Sequence, residues 1–258
     1  MDKISLHLVV NSNLYLRDPL QTELGRKIIQ HSVIMIDVHG IEQFTFKKLA
    51  SEIGSTEASI YRYFDNKHRL FVYLINWYWE WVKFRIQLQT MNVHDPLTKM
   101  KIVLRIIVDS SKRHMETPYV NEDILHKIVV REGIKAYHSK TVDEENEEGY
   151  FLAYKALCST LADIVLEINP HFKYPRAFAS MLIETANNNI YFAQHLPRLT
   201  DIDARVDDLN EAVIEMLECF VFNIIDQAPS SKLTFQSPNG LKIQANRPLW
   251  PQAENHLR

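Results

Sequence analysis

The amino-acid sequence predicts an all-α protein. Only 6 of its 258 residues are glycine, about 2% against a usual share of about 7%, and this scarcity disfavours glycine-rich β-sandwiches and most nucleotide-binding α/β folds. Along most of the chain, apolar residues recur at spacings of three and four, which is the period of an amphipathic helix. Hydrophobic residues make up 46% of the sequence and charged residues 24%, so the chain can bury a sizeable core.

The first long helix is predicted to begin after Thr22, a residue type that commonly caps helix N-termini. Ile29, Val33 and Ile36 then form one apolar stripe. Gly40 can adopt the left-handed conformation that ends a helix, so this helix is expected to stop there.

Two short helices joined by a tight turn are predicted next. Thr45 is expected to cap the first of them and Gly54 to end it. The apolar positions of this first helix are Phe46, Leu49, Ala50 and Ile53. The second begins near Thr56, and its inward positions are Ile60, Tyr61 and Phe64, while Ser59, Arg62 and Tyr63 lie on other faces. Two short helices across a glycine-containing turn form a helix-turn-helix arrangement.

A fourth helix is predicted to begin at Asp65-Asn66 and to continue to about Thr90. Its apolar residues repeat at near-heptad spacing and are Leu70, Leu74, Trp77, Trp81 and Leu88. A helix of this length can link two domains.

Further helices are predicted in the rest of the chain. The predicted starts are Asp95-Pro96, Asn121, Thr141, Pro175 and Val206. The helix from Thr141 is expected to run unbroken to Ile168, because acidic residues at 143–145 favour a helix N-terminus and apolar residues then recur every three or four positions.

The last two helices, about 175–195 and 206–226, are predicted to pair two copies of the chain. The apolar seam of the last helix is Val206, Leu209, Val213, Met216 and Phe220. The matching stripe of the preceding helix is Phe178, Met181, Leu182 and Thr185. Two helices from each copy would form a four-helix bundle about a two-fold axis. In the alternative, both stripes only cover the core of a single copy.

Both chain ends depart from the helical pattern. Residues 232–245 have the pattern strand, turn, strand. The residues that alternate near the N-terminus are Ile4, Leu6, Leu8 and Val10. These patterns are compatible with a small terminal sheet, and a pair of flexible tails is the alternative. The predicted organisation is an N-terminal extension at 1–21, a helix-turn-helix domain at 22–80, a second helical domain at 81–228, and a tail or small hairpin at 229–258.

Charge and cysteine content limit the function classes. A net charge of −3 excludes a generally basic nucleic-acid coat but leaves room for a local DNA-binding element. Cys158 and Cys219 cannot form a zinc site alone. No apolar stretch approaches the roughly 18 residues that span a bilayer, and the start of the chain lacks the features of a signal peptide. A cytoplasmic protein without a membrane partner is expected.

The helix-turn-helix region contains further characteristic residues. Residues 40–50 are GIEQFTFKKLA, residues 53–56 are IGST, residues 60–64 are IYRYF and residues 66–70 are NKHRL. This arrangement resembles the TetR family of transcriptional regulators, and the resemblance covers roughly Thr22 to Trp81. Ser55 stands where family members usually have an apolar residue.

The resemblance implies a homodimeric repressor, not an enzyme, that binds a double-stranded DNA operator without a cofactor or metal. It also implies that the C-terminal helical domain binds an effector and dimerises, and that an unknown small-molecule effector releases the protein from DNA.

The third helix is predicted to enter the major groove, because its outer positions are short or polar and allow a close approach. These positions are Thr56, Glu57, Ala58, Ser59 and Arg62. Glu57 can accept a hydrogen bond from a cytosine amino group. In the alternative, Glu57 only complements the positive end of the helix dipole.

Phosphate contacts are predicted around this helix. The candidates are Thr45, Lys47, Lys48, Tyr61 or Tyr63, and Lys67. For each lysine, the alternative is an ordinary solvated surface residue. From residue 45 to residue 70, five basic and three acidic residues give a net charge of 5 − 3 = +2. Because this excess is modest, useful affinity is expected to need a dimer.

Effector contacts are predicted at Trp81 and Phe84 on the fourth helix, at Tyr154, and at Asn188 within a run of three asparagines. Core packing is the alternative for the aromatic residues. At least one asparagine of the run is expected to point inward, because asparagine is a poor helix former, while a solvent-facing run is the alternative.

Catalytic motifs are missing from the sequence: it has no phosphate-binding glycine loop and no HExxH, GxSxG or CxxC. Asp123 and His126 have the spacing of half a di-iron ligand pattern, and a helix-start acid with a polar surface or pocket residue is the favoured interpretation. The rival class is a helical ligand-binding or enzymatic protein that uses the N-terminal motif for structure or protein docking.

Overall fold

The computed structural model describes residues 8–109, 119–205 and 208–225, and every regular element in these ranges is helical. The all-α prediction is confirmed. The α-helices are α1 (Glu23–Gln43), α2 (Phe46–Glu52), α3 (Glu57–Tyr61), α4 (Lys67–Thr90), α5 (Pro96–Val108), α6 (Glu122–Glu132), α7 (Val142–Glu147), α8 (Leu152–Ile168), α9 (Pro175–His195) and α10 (Leu209–Ile225). Short 3₁₀ helices lie at Ser12–Leu14, Pro19–Gln21 and Gly133–Ala136. None of the described helices is long and apolar enough to cross a membrane.

Side-chain caps fix most of the helix starts where the sequence predicts them. Thr22 accepts a hydrogen bond from the Gly25 amide at 3.0 Å. Because a cap satisfies an amide at the helix start that has no partner within the helix, such starts are encoded locally. The other confirmed caps are Thr45, Thr56, Asn66, Asp95 and Asn121.

The unbroken helix predicted from Thr141 to Ile168 is wrong. The chain forms α7 and α8 with a break between them, where Gly149 has a φ of +81°. The Gly149 carbonyl accepts a hydrogen bond from the Asn11 side chain at 2.8 Å, so a distant segment of the chain stabilises the break. Thr141 does not cap α7 and instead donates to the Glu145 carboxylate at 2.9 Å.

Helix α4 packs along much of its length against α1, α5, α6 and α8. Four of the five predicted heptad positions are buried, and they are Leu70, Leu74, Trp77 and Trp81. Leu88, the fifth, is 55% exposed, so the buried side of α4 ends before its last turn.

Residues 8–21, which precede α1, pack against α1 and α4. Leu8, Val10 and Leu14 are buried, and the Leu16 amide donates to the Tyr63 carbonyl at 2.8 Å. Leu8 and Val10 are buried and Val9 between them is exposed, but these residues do not form a strand. Ile4, Leu6 and the predicted hairpin at 232–245 lie outside the described residues.

The predicted dimer seam on α10 is partly wrong. Val213, its central residue, is fully buried within the chain's own core, whereas Phe220 is 44% exposed. On α9, Phe178 and Leu182 are also buried, while Met181 is exposed. The reason is that α9 and α10 pack against each other and against α5. This packing buries some residues of each predicted stripe and leaves the others at the surface. Val206 lies outside the described residues.

Candidate nucleic-acid interface

Helices α2 and α3 are joined by a tight turn at 53–56. Gly54 has a φ of +64°, in the left-handed region where glycine is favoured. The Ser55 amide donates to the Ala50 carbonyl at 2.8 Å and closes the end of α2. The turn therefore favours glycine at position 54. Ser55 is accommodated in the turn, and the helix-turn-helix motif is retained.

The first turn of α3 is held by its own side chains. The Thr56 hydroxyl accepts a hydrogen bond from the Ser59 amide at 3.3 Å and lies 2.8 Å from the Ser59 hydroxyl. On the opposite side of α3, Ile60 is fully buried, and Phe64 beyond the helix end is buried as well. One face of α3 is thus fixed to the core while the other faces outward.

Most of the predicted DNA-contacting residues have exposed side chains. Eight of the eleven are exposed, namely Thr45, Lys47, Lys48, Thr56, Glu57, Ala58, Tyr61 and Arg62. Ser59 and Lys67 are half-buried. The helix pair therefore presents one polar surface, and we call these ten residues the recognition face.

The two tyrosines exchange the roles predicted for them. Tyr61, predicted to face inward, is 46% exposed, and its ring contacts Phe46 with the ring centroids 5.1 Å apart. Tyr63, predicted to lie outward, is 3% exposed, and its hydroxyl lies 2.7 Å from that of Thr22. The reason is that α3 ends at Tyr61, so its helical period does not continue to Tyr63.

Two of the predicted phosphate-binding lysines also hold the end of α1. The Lys67 ammonium donates to the carbonyls of Ile41 and Glu42 at 3.1 Å each. Lys48 donates to the Gln43 carbonyl at 2.9 Å. An ammonium has three donors, so Lys67 retains one proton for a phosphate after binding both carbonyls.

Contacts between α1 and α6 connect the helix-turn-helix region to the following helices. Arg131 on α6 forms an ion pair with Asp37 on α1 and also donates to the Asp37 carbonyl at 3.3 Å. Glu132 accepts from the Ile41 amide at 3.0 Å, next to Gly40, whose φ is +74°. On the α4 side, His68 lies 3.0 Å from the Glu145 carboxylate.

The four predicted effector contacts have different surroundings. Trp81 is buried and stacks on Phe84, which is core packing. Tyr154 donates to Glu184 at 2.9 Å. Asn188 is exposed and cannot line an interior site, whereas its neighbour Asn187 is the buried member of the asparagine run.

A cavity of about 330 Å³ lies instead between α6 and α9. Helix α6 contributes Asp123, His126, Lys127 and Arg131, and α9 contributes Tyr191 and His195, among others. His126 Nδ1 lies 2.7 Å from the Tyr78 hydroxyl, and burial lowers the pKa of His126 to about 4. Among the described residues, no group of three or more His, Cys, Asp or Glu side chains is placed to hold a metal ion.

From the sequence, Asp123 and His126 are interpreted as a helix-start acid and a polar surface or pocket residue, and Lys127 and Arg131 are not predicted to line a site. A signal for them exists, because residues 123, 127 and 131 are spaced at i, i+4 and i+8 and share one helix face. The aromatic and asparagine runs were more conspicuous in the sequence but do not line this cavity.

The capped helix pair, its left-handed turn and the exposed outer side of α3 define a helix-turn-helix DNA-binding domain. Residues 28–74 match the family model described as "Bacterial regulatory proteins, tetR family". The resemblance inferred from the sequence is therefore confirmed over these residues.

One curated relative is the "Nucleoid occlusion factor SlmA" of Shewanella sediminis (strain HAW-EB3). It is 31% identical over 87 residues, which are 34% of this chain and 44% of the relative. The chain thus spans less than half the length of this relative.

Two solved structures share the overall fold. The fatty acid degradation regulator FadR from Bacillus halodurans superposes with a TM-score of 0.54 and 17% identity, covering 76% of this chain and 96% of that chain. AibR in complex with isovaleryl coenzyme A and operator DNA has a TM-score of 0.54 and 13% identity, covering 76% and 98%. At these identities the likeness concerns the fold alone.

Proposed function

We propose that this protein is a homodimeric, sequence-specific transcriptional regulator of the cytoplasm, whose helix α3 enters the major groove of operator DNA. The observation that carries the proposal is the two-sided structure of α3. Its inner side is fixed by Ile60, and its outer side presents Thr56, Glu57 and Arg62 to solvent. Short and polar outer residues allow the backbone to approach base edges.

Within this proposal, the recognition face divides into two kinds of contact. The outer residues of α3 contact bases, since they lie on the helix that fits the groove. The residues around the helix, which are Thr45, Lys47, Lys48, Tyr61 and Lys67, contact phosphates and position the domain. Tyr63 is left out, because its hydroxyl lies beside Thr22 and its side chain is buried.

A dimer follows from the modest charge of this face, since one domain alone would bind weakly. The outer side of α10 offers a surface for a second copy, with Met216 half-buried and Phe220 and Ile224 exposed at i, i+4 and i+8. An exposed apolar stripe of this kind is typical of an association surface. We therefore assign the interface to this stripe and to Met181 on α9, not to Val213.

We also propose that a small effector bound to the second helical domain, residues 81–228, releases the protein from DNA. A ligand that binds better to a state with mis-spaced α3 helices lowers DNA affinity by its differential affinity. The contacts that link α1 to α6, Arg131 with Asp37 and Glu132 with Ile41, support such coupling.

A mobility-shift assay with DNA flanking the protein's own gene tests the DNA-binding proposal against the rival docking class. Specific binding that persists at physiological salt and is weakened in the Arg62→Ala variant is expected. Arg205→Ala is the matched control, because Arg205 is exposed outside the recognition face and pairs with nearby Asp203. Weak binding that is equal for all sequences and disappears with salt would refute the proposal.

A further inference from the structure

The cavity between α6 and α9 has two walls of different chemistry. On α6, Asp123, Lys127 and Arg131 follow one another at intervals of four residues, about 6 Å each along the helix axis. On α9, the wall contains Ile190 and Tyr191, followed by Gln194 and His195. The volume of about 330 Å³ lies near the lower end of the range for small-molecule sites, roughly 300–1,000 Å³.

The charge of the α6 wall is positive toward its C-terminal end. Lys127 is exposed and forms no ion pair within the part of the chain that the structure describes. Arg131 adds a second positive charge, and its Nε donates to the Lys127 carbonyl at 3.3 Å. His126 adds no charge near neutral pH, because burial lowers the pKa of its imidazole to about 4.

The other end of the same wall requires a hydrogen-bond donor. The Asp123 oxygen Oδ1 is buried and accepts no hydrogen bond among the described residues. Because the Asp123 carboxylate also lines the cavity, a ligand hydroxyl that donates to this carboxylate would gain affinity. The cavity is thus polarised, with an acceptor at one end and cationic donors one to two turns away.

We propose that this cavity binds a small organic carboxylate with an aromatic or apolar body and a hydroxyl at its far end. The carboxylate would bind Lys127 and Arg131, the hydroxyl would donate to Asp123, and the body would pack on Ile190 and Tyr191. This inference rests on the proposed effector-binding role of the second domain and names the chemical class of the effector.

Arg131 gives this site a direct connection to the DNA-binding domain. The same guanidinium that lines the cavity forms the ion pair with Asp37 on α1. A ligand carboxylate at Arg131 competes with Asp37, so binding of the ligand weakens this contact between α6 and α1. Linkage is reciprocal: the factor by which the ligand weakens the contact between Arg131 and Asp37 is also the factor by which this contact weakens binding of the ligand. Loss of the Asp37 charge must therefore strengthen binding of the ligand.

Isothermal titration of the DNA-free protein with 4-hydroxybenzoate tests the ligand class. This probe carries a carboxylate and a hydroxyl at opposite ends of one ring. We expect saturable binding at millimolar concentrations or below, at least about fivefold weaker binding of the neutral 4-hydroxybenzamide, and weaker binding of benzoate, which lacks the hydroxyl. The proposal would be overturned if 4-hydroxybenzoate did not bind at concentrations up to about 10 mM, or if the acid and the amide bound equally well.

Variants assign the binding to this cavity. Lys127→Met is expected to lower the affinity for 4-hydroxybenzoate at least about threefold, while the control Lys135→Met leaves it unchanged, because Lys135 pairs with Glu132 and does not line the cavity. Asp123→Ala is expected to remove the preference for 4-hydroxybenzoate over benzoate. If Lys127→Met and Lys135→Met behave alike, the probe binds elsewhere and the assignment fails.

The Asp37→Asn variant tests the competition for Arg131. Its affinity for 4-hydroxybenzoate is expected to rise about two- to fivefold, the range for loss of one partly exposed ion pair. Glu42→Gln is the matched control, since Glu42 is another α1 carboxylate and pairs with Lys135 instead. Unchanged affinity in Asp37→Asn would overturn the competition. Because no DNA is present, failure here is distinct from failure of operator binding, which the mobility shift reports.

Discussion

The outer side of α3 and the outer side of α10 are both exposed, but their chemistry is opposite. Residues 56–58 at the start of α3 are threonine, glutamate and alanine, with Arg62 just beyond the helix. On α10 the exposed stripe ends in Phe220 and Ile224. Exposure alone therefore says little about a partner. A polar, small-residue surface suits the hydrated major groove, whereas an apolar stripe suits a second protein surface.

The largest expected effect distinguishes the core side of α10 from its outer side. Val213→Asp places a charge where the native side chain is fully buried within one chain. We expect a loss of about 3–5 kcal/mol in the free energy of unfolding, because an unpaired buried charge is strongly unfavourable. Chemical denaturation followed by circular dichroism measures this loss, and an unchanged midpoint would show that Val213 is not a core residue.

The next effect concerns the outer side of α10. Phe220→Asp is expected to convert the dimer to a monomer with little change in thermal stability, because the residue is exposed in a single copy and would face its partner only in the dimer. Light scattering at micromolar concentrations measures the mass. A wild-type protein of monomer mass, or an undiminished dimer in the variant, would exclude the proposed interface.

Gly54→Val tests how α3 is presented. A Cβ at this position would meet nothing within 4 Å, so the expected cost of about 1–3 kcal/mol comes from the backbone φ of +64°. We expect loss of specific operator binding in mobility shifts while the fold persists. Gly133→Ala is the control, because a Cβ there makes only ordinary contact with Val129 at 3.4 Å. Full operator affinity in Gly54→Val would place the critical turn elsewhere.

The recognition face itself is tested by Arg62→Ala. Because Arg62 is exposed, its loss is expected to leave the thermal midpoint unchanged and to weaken operator binding by about 1–3 kcal/mol. Fluorescence anisotropy at physiological salt measures the affinity. An unchanged Kd would remove Arg62 from the recognition face.

The smallest effect separates the two tyrosines. Tyr63→Phe removes the hydroxyl that lies 2.7 Å from that of Thr22, and we expect a loss of about 0.5–1.5 kcal/mol in stability. Tyr61→Phe is expected to leave stability unchanged and to weaken DNA binding slightly, because its hydroxyl is on the exposed side. The reverse pattern in thermal melts and anisotropy would restore the roles that the sequence predicted.

Features encoded by neighbouring residues were predictable from the sequence. The caps at Thr22, Thr45 and Thr56 each depend on an amide three residues away. The left-handed turn at Gly54 depends on its own backbone conformation. These features account for the exposed position of most of the predicted DNA-contacting residues.

Features that depend on distant packing were not predictable. The break at Gly149 is stabilised by Asn11, 138 residues away in the chain. The buried side of α10 at Val213 is set by packing against α5 and α9. Periodicity identifies a helix and its apolar stripe, but it does not say whether that stripe faces the chain's own core or another copy.

Selection of bound DNA from a random library tests the central claim most directly, because every possible operator sequence competes for the protein in one experiment. The proposed arrangement of two α3 helices in a dimer predicts an enriched sequence with two inverted half-sites, centred one helical turn of about 10 base pairs or a multiple of it apart. An enriched set without two-fold symmetry, or no enrichment over the starting library, would contradict the account.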